Sequence, residues 1–164
     1  MVSYTLNRAT EYWSHATRSV QSSAGVVAAQ HRLAAEAGAS MLARGGNAVD
    51  AAVACAFSLG VVEPWMSGIG GSGYAVIWDA QASKASVIDF QGVLPAAIDR
   101  ADYPLDPQVP MSIMGFPGVV NNRNVHGYGA VSIPGALKGL GRAQTRFGQL
   151  GLDTVLEPAI ALAE

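Results

Sequence analysis

The sequence predicts an α+β fold, and three observations carry that reading. Helix patterns occupy residues 33–44 and 48–59, β-rich runs occupy residues 74–79 and 85–90, and glycine clusters punctuate them. A chain of 164 residues, half of them hydrophobic, has material for one core, and its composition argues against disorder.

Residues 1–23 are polar and aperiodic and read as an irregular N-terminal arm, leaving residues 24–164 as the structured portion. The apolar run GVVAAQ at residues 25–30 is consistent with a strand. In residues 33–44, Leu33, Ala37, Met41 and Leu42 fall at near-helical spacing, and Gly45 and Gly46 supply a stop. Asn47 is placed to cap the next helix, with Asp50 three residues on reaching back to the cap or favouring the positive helix end. That helix is apolar nearly all round, which predicts burial on several sides, and Pro64 prevents its continuation.

YAVIWD at residues 74–79 and ASVIDF at residues 85–90 predict an antiparallel hairpin with a longer loop. Residues 92–129 lose periodicity and are rich in Pro, Gly and Asn; loops of that length are usually functional or poorly ordered. Val131 and Ile133 form a short β-like piece, and Pro134 suits the first turn of a helix running to about Phe147. Asp153 is the expected cap of a last helix, with Pro158 starting or kinking its final turn.

Only 13% of residues are charged, so much of the surface is expected to be covered by more chain or another subunit. A net charge of -2 points neither to nucleic acid nor to an anionic membrane as partner. No apolar run is long enough to span a bilayer, and residues 1–20 lack the continuous apolar stretch of a secretory signal, so the expected location is cytoplasmic. Cys55, the one cysteine, excludes an internal disulfide and reads as a small buried hydrophobe. His15, His31 and His126 are scattered, so neither a metal site nor a cofactor is expected.

Gly68, Gly70 and Gly73 satisfy G-x-G-x-x-G, but a dinucleotide loop needs a strand before it and a helix after it. Here the order is helix, loop, strand. The glycines therefore read as a close-approach loop, or as a nest of backbone N–H groups facing a cavity. Ser58, Ser67 and Ser72 lack a nucleophile-elbow context. Glu63 reads as an exposed helix-end carboxylate rather than a catalytic one, and Asp79, Asp89 and Asp99 as markers of strand ends and loops. No catalytic group is evident in the residues themselves.

GGNAVDAAVACAFSLGVVEP followed by SGIGGSGY closely resembles the γ-glutamyltranspeptidase (γ-glutamyltransferase) family, and the match continues upstream through GVVAAQHRLAAEAGASMLAR and downstream through VIDF, VSIPGALKGLGRAQTRFG and LEPAIALAE. It covers residues 24–164 and is weak around residues 99–127. The resemblance implies an N-terminal-nucleophile hydrolase fold, a four-layer αββα sandwich, present here only in part. It implies a precursor that cleaves itself, freeing an N-terminal Thr as nucleophile with its own α-amine as base. That Thr takes a γ-glutamyl group from glutathione or a related amide and passes it to water or an amino acid.

The family's nucleophile is followed by a second Thr and a His, whereas Thr5, Thr10, Thr17, Thr145 and Thr154 precede Leu, Glu, Arg, Arg and Val. The resemblance thus makes this chain the N-terminal part of the large subunit, with no catalytic residue of its own and a missing C-terminal, small-subunit portion as partner. It also marks Gln91. After the second hairpin strand the family usually carries Arg-Glu, the Arg holding the donor's α-carboxylate, and here Gln91 and Gly92 stand instead. A neutral amide lacks the guanidinium's charged fork. A hydrogen bond to a charged group is worth roughly 1.5–3 kcal/mol, so its loss weakens binding about tenfold to over a hundredfold. Gln91 is the candidate substrate-binding residue, and a related amide acylase or a non-catalytic binding subunit stands as the alternative.

Overall fold

The computed structural model describes residues 20–112 and 115–164. The irregular arm expected over residues 1–23 lies mostly outside these; residues 20–23, which are described, are exposed and irregular. The elements are α1 (Arg32–Ala43), α2 (Ala48–Val62), β1 (Tyr74–Asp79), β2 (Lys84–Asp89), α3 (Ala136–Phe147) and α4 (Leu152–Ala163).

Local signals set the helix ends. The His31 ring caps α1 by accepting from the Leu33 N–H at 3.2 Å. At the other end Gly45, with φ at 86°, turns the chain in the left-handed region. The Gly46 N–H then reaches the Met41 carbonyl, and the Gly45 N–H reaches that of Leu42. Asn47 and Asp50 form the expected reciprocal capping box on α2. α2 is the central element and packs against α1, α4 and α3. Ala51 and Ala54 are buried on it, beside Val53 and Phe57, and small side chains of this kind let neighbouring helices approach closely.

β1 and β2 pair antiparallel, Tyr74 opposite Asp89 and Asp79 opposite Lys84. Ile88 enters the core with Met41, Val53, Phe57, Ala143 and Val155, while Ala75 and Ile77 pack against it from β1. The described part of the aperiodic stretch is held by specific bonds rather than structureless. Val93 and Ile133 exchange both backbone hydrogen bonds at its neck, at 3.2 and 2.8 Å. Short 3₁₀ turns at Arg100–Asp102, Val120–Asn122 and Tyr128–Ala130 fold it, and the Tyr103 hydroxyl donates to the Gly129 carbonyl at 2.6 Å.

Three local expectations need correction. Residues 25–30 are not a strand: among the described residues no neighbour pairs with them to complete a ladder. Pro134 precedes α3 instead of opening it, because Gly135 holds the N-cap position. Asp153 does not cap α4; Gly151 does, without a side-chain bond, and Asp153 sits inside the first turn, where its charge favours the positive helix end. α4 runs through Pro158 to Ala163.

Candidate functional site

The glycine loop, the end of β2 and the start of α3 meet at one place. Gly73 and Phe90 extend the hairpin ladder by one pair, with the Phe90 N–H donating to the Gly73 carbonyl at 3.0 Å. The Gly71 carbonyl accepts from the Gly135 and Ala136 N–H groups at 3.1 and 3.0 Å. α3 has no side-chain cap, so the loop's carbonyl satisfies donors that would otherwise be orphaned at the helix start. This contact makes the loop an acceptor. Its Gly71 and Gly73 N–H groups are taken by the Gly68 and Phe90 carbonyls, so the nest expected from sequence does not form at these two positions.

Phe90 forms part of a cavity of about 730 Å3 between α2, the glycine loop, β1 and α3. Its walls are apolar, with Ala52, Ala56 and Leu59 from α2, Ile77 from β1 and Leu140 from α3. Gln91 follows Phe90 in sequence. Its backbone N–H donates to Asp89 Oδ1 at 3.0 Å, and the residue is exposed.

The other carboxylates sort by their bonds. Asp79 accepts from the Gln81 and Ala82 N–H groups and Asp99 from that of Ala101, so with Asp89 they mark turns as expected. Asp50 is fully buried. Its oxygens accept from the Asn47 N–H at 2.6 Å, Gln144 Nε2 at 2.5 Å, the Gln149 N–H at 3.1 Å and the Leu150 N–H at 3.0 Å. Burial alone pushes the Asp50 carboxyl up, but the bonds from Gln144, Asn47, Leu150 and Gln149 outweigh it and hold it below the ordinary carboxylate value. With every acceptor engaged it is a structural tie, not an acid–base group. Sequence reasoning found its cap role and missed the rest.

Glu63 contradicts its expectation. It is 7% exposed instead of solvent-facing, and its Oε2 has no hydrogen-bond partner among the described residues. The available signal was an acidic residue closing an uninterrupted apolar helix. Cys55 is buried, and burial pushes its thiol up and keeps it protonated, as a small hydrophobe. Thr145 donates to the Gly141 carbonyl within α3, and Thr154 lies within α4; Thr5, Thr10 and Thr17 lie outside the described residues. Among the described residues no three His, Cys, Asp or Glu side chains gather into a metal-binding group, and no helix is long and apolar enough to cross a membrane.

With this geometry in hand, comparison with known proteins is specific. Residues 34–164 match the family described as Gamma-glutamyltranspeptidase. A glutathione hydrolase proenzyme of Bacillus subtilis (strain 168) is 39% identical over 140 residues, covering 85% of this chain and 22% of that protein. An acylase ACY 1 proenzyme of Pseudomonas sp. (strain SE83) is 44% identical over 142 residues, covering 87% of this chain and 25% of that protein. The structure of a gamma-glutamyltranspeptidase from Pseudomonas nitroreducens, complexed with L-DON, superposes with a TM-score of 0.74 at 35% identity, over 88% of this chain and 40% of that one. The chain thus spans about a quarter or less of the length of these curated relatives. Its helices and hairpin form part of an N-terminal-nucleophile hydrolase fold.

Proposed function

Because this chain belongs to the gamma-glutamyltranspeptidase family, we propose that it supplies the N-terminal part of the large subunit of an enzyme that transfers an acyl group, γ-glutamyl in the first instance, from glutathione or a related amide to water or an amino acid. The observation that carries this reading is the match running from α1 through α4, the stretch that builds the Phe90 cavity. The nucleophilic Thr, its α-amine base and the oxyanion-hole groups belong to polypeptide outside this chain. What this chain contributes is one wall of the substrate site: a rigid apolar floor on α2 and the polar residue that follows Phe90, Gln91.

Gln91 favours a second reading within the same chemistry. A primary amide offers two N–H donors and one carbonyl acceptor but no charge, so it orients a neutral acyl group as readily as a carboxylate. The 44% identity to an acylase proenzyme supports this reading too. One assay separates the readings. The full-length protein is given a γ-glutamyl anilide and an anilide of similar size without the α-carboxylate. Glutathione hydrolase chemistry predicts the higher kcat/KM for the first, and acylase chemistry for the second. In the acylase case Gln91→Arg should shift the ratio toward the γ-glutamyl donor by about tenfold to a hundredfold. A full-length protein that self-cleaves yet turns over neither donor would sink both readings and leave a binding role. The 164-residue chain alone is expected to turn over neither.

A further inference from the structure

We propose that Glu63 is the docking point for a positively charged side chain, Lys or Arg, carried by polypeptide outside this chain. The proposal rests on the reading above that further polypeptide completes the molecule. Glu63 closes α2, its N–H bonded to the Leu59 carbonyl at 2.8 Å and its carbonyl accepting from the Met66 and Ser67 N–H groups at 3.0 Å. The backbone is therefore fixed by a turn and holds the side chain inward. A carboxylate is misplaced there, because a helix C-terminus already carries partial negative charge, and the last turn of α2 has no basic residue to offset it.

Burial compounds the misplacement. Among the described residues Glu63 Oε2 has no hydrogen-bond partner, and Ser58 Oγ, earlier on the same helix, is fully buried and equally unpartnered. The ion pairs found among the described residues join Arg32 to Glu36, Arg44 to Glu157 and Arg123 to Asp102, and none involves Glu63. Buried carboxylates are retained when a donor meets them. The turn beyond Glu63 exposes Trp65, Met66 and Ile69, at 75%, 67% and 62%. A buried acidic group followed in sequence by exposed apolar residues suits a long cationic side chain, with its aliphatic stem or guanidinium against an apolar residue and its charge reaching the carboxylate. Curated relatives extend far beyond the span matched here, so such polypeptide exists in the family.

The test is a double-mutant cycle in the full-length protein, read by urea unfolding. Glu63→Gln should raise the unfolding constant by about tenfold to a hundredfold. One Lys→Met or Arg→Met outside residues 1–164 should do the same, and the double variant should be no worse than either single. Additivity with every outside cation, coupling to Arg8 or Arg18 instead, or no effect of Glu63→Gln would overturn the proposal. If Glu63→Gln does not fold, Glu63→Met together with removal of the facing cation should recover folded protein; no outside cation giving that rescue also overturns it. Catalysis is not the readout. Coupling in a protein that cleaves no amide retires the functional reading alone, and an active protein without coupling retires this one alone.

Discussion

Asp50 ties the helical layer together. Its carboxylate joins the start of α2 to Gln144 on α3 and to the Gln149–Leu150 turn that leads into α4. Because the carboxyl is held below its ordinary value, the stability it gives is complete above the unfolded-state pKa of about 4. That contribution is lost as pH falls through the lower folded value. Asp50→Asn keeps the shape and removes the charge, so it should cost at least roughly 1.5–3 kcal/mol at neutral pH. The gap between wild type and variant in urea unfolding should narrow as the pH drops below about 4; a gap constant down to about pH 2.5 would refute the assignment. The capping box was legible because Asn47 and Asp50 stand three residues apart, within one helical turn. Gln144 lies 94 residues away, and no local period connects it to Asp50. Gln91, proposed above as a substrate-site residue, is singled out only by its departure from a family pattern, since its own neighbours mark nothing but a strand end.

At the scale of elements, the start of α3 is held in place by backbone rather than by side-chain bonds. Its first N–H groups are met by the glycine loop, and Gly135 lies so close to the Phe90–Gln91 backbone that a Cβ there would overlap the Phe90 carbonyl oxygen. Backbone atoms cannot rotate away as a side-chain end would. Gly135→Ala should therefore destabilise by about 1–3 kcal/mol, the usual range for forced overpacking. Gly141, further along the same helix, would meet nothing with an added Cβ, so Gly141→Ala should gain up to about 1 kcal/mol from helix propensity. Thermal unfolding of the pair checks this, and equal effects would mean α3 does not dock on Phe90 as described. Helices and hairpin were legible here because each has a period of its own. The strand expected at residues 25–30 was not, because a β-rich run becomes a strand only when a neighbour supplies the other half of the ladder. The aperiodic excursion hid its order for the same reason: the Val93–Ile133 neck and the Tyr103–Gly129 bond join residues far apart in sequence.

Across the whole molecule, the imbalance is between apolar residues and the surface available to bury them. α2 is covered on the sides facing α1, α3 and α4, yet Ala48, Ala52, Ala56 and Leu59, one stripe at helical spacing, line open cavities of about 730 and 610 Å3. Among the described residues no further strand pairs with either edge of the two-stranded sheet, and Tyr74, Val76, Trp78 and Val87 are exposed on it. Composition hinted at this through its low charge but could not say which face lay bare, because that depends on which elements find partners. Large contiguous apolar patches on a soluble chain are uncommon and drive association or bind small apolar probes. Free β edges add hydrogen-bonding groups that pair with another chain. The 164-residue chain by itself is therefore expected to bind an anilinonaphthalene dye at neutral pH and to form dimers or larger species in sedimentation velocity. Placing charges on the exposed strand face, with Val76→Lys and Trp78→Lys together, should reduce both signals and leave the helical circular dichroism intact, since neither side chain belongs to the core cluster. A dye-silent, monodisperse monomer would show that these surfaces are covered within the chain itself and that no further polypeptide is needed to close them.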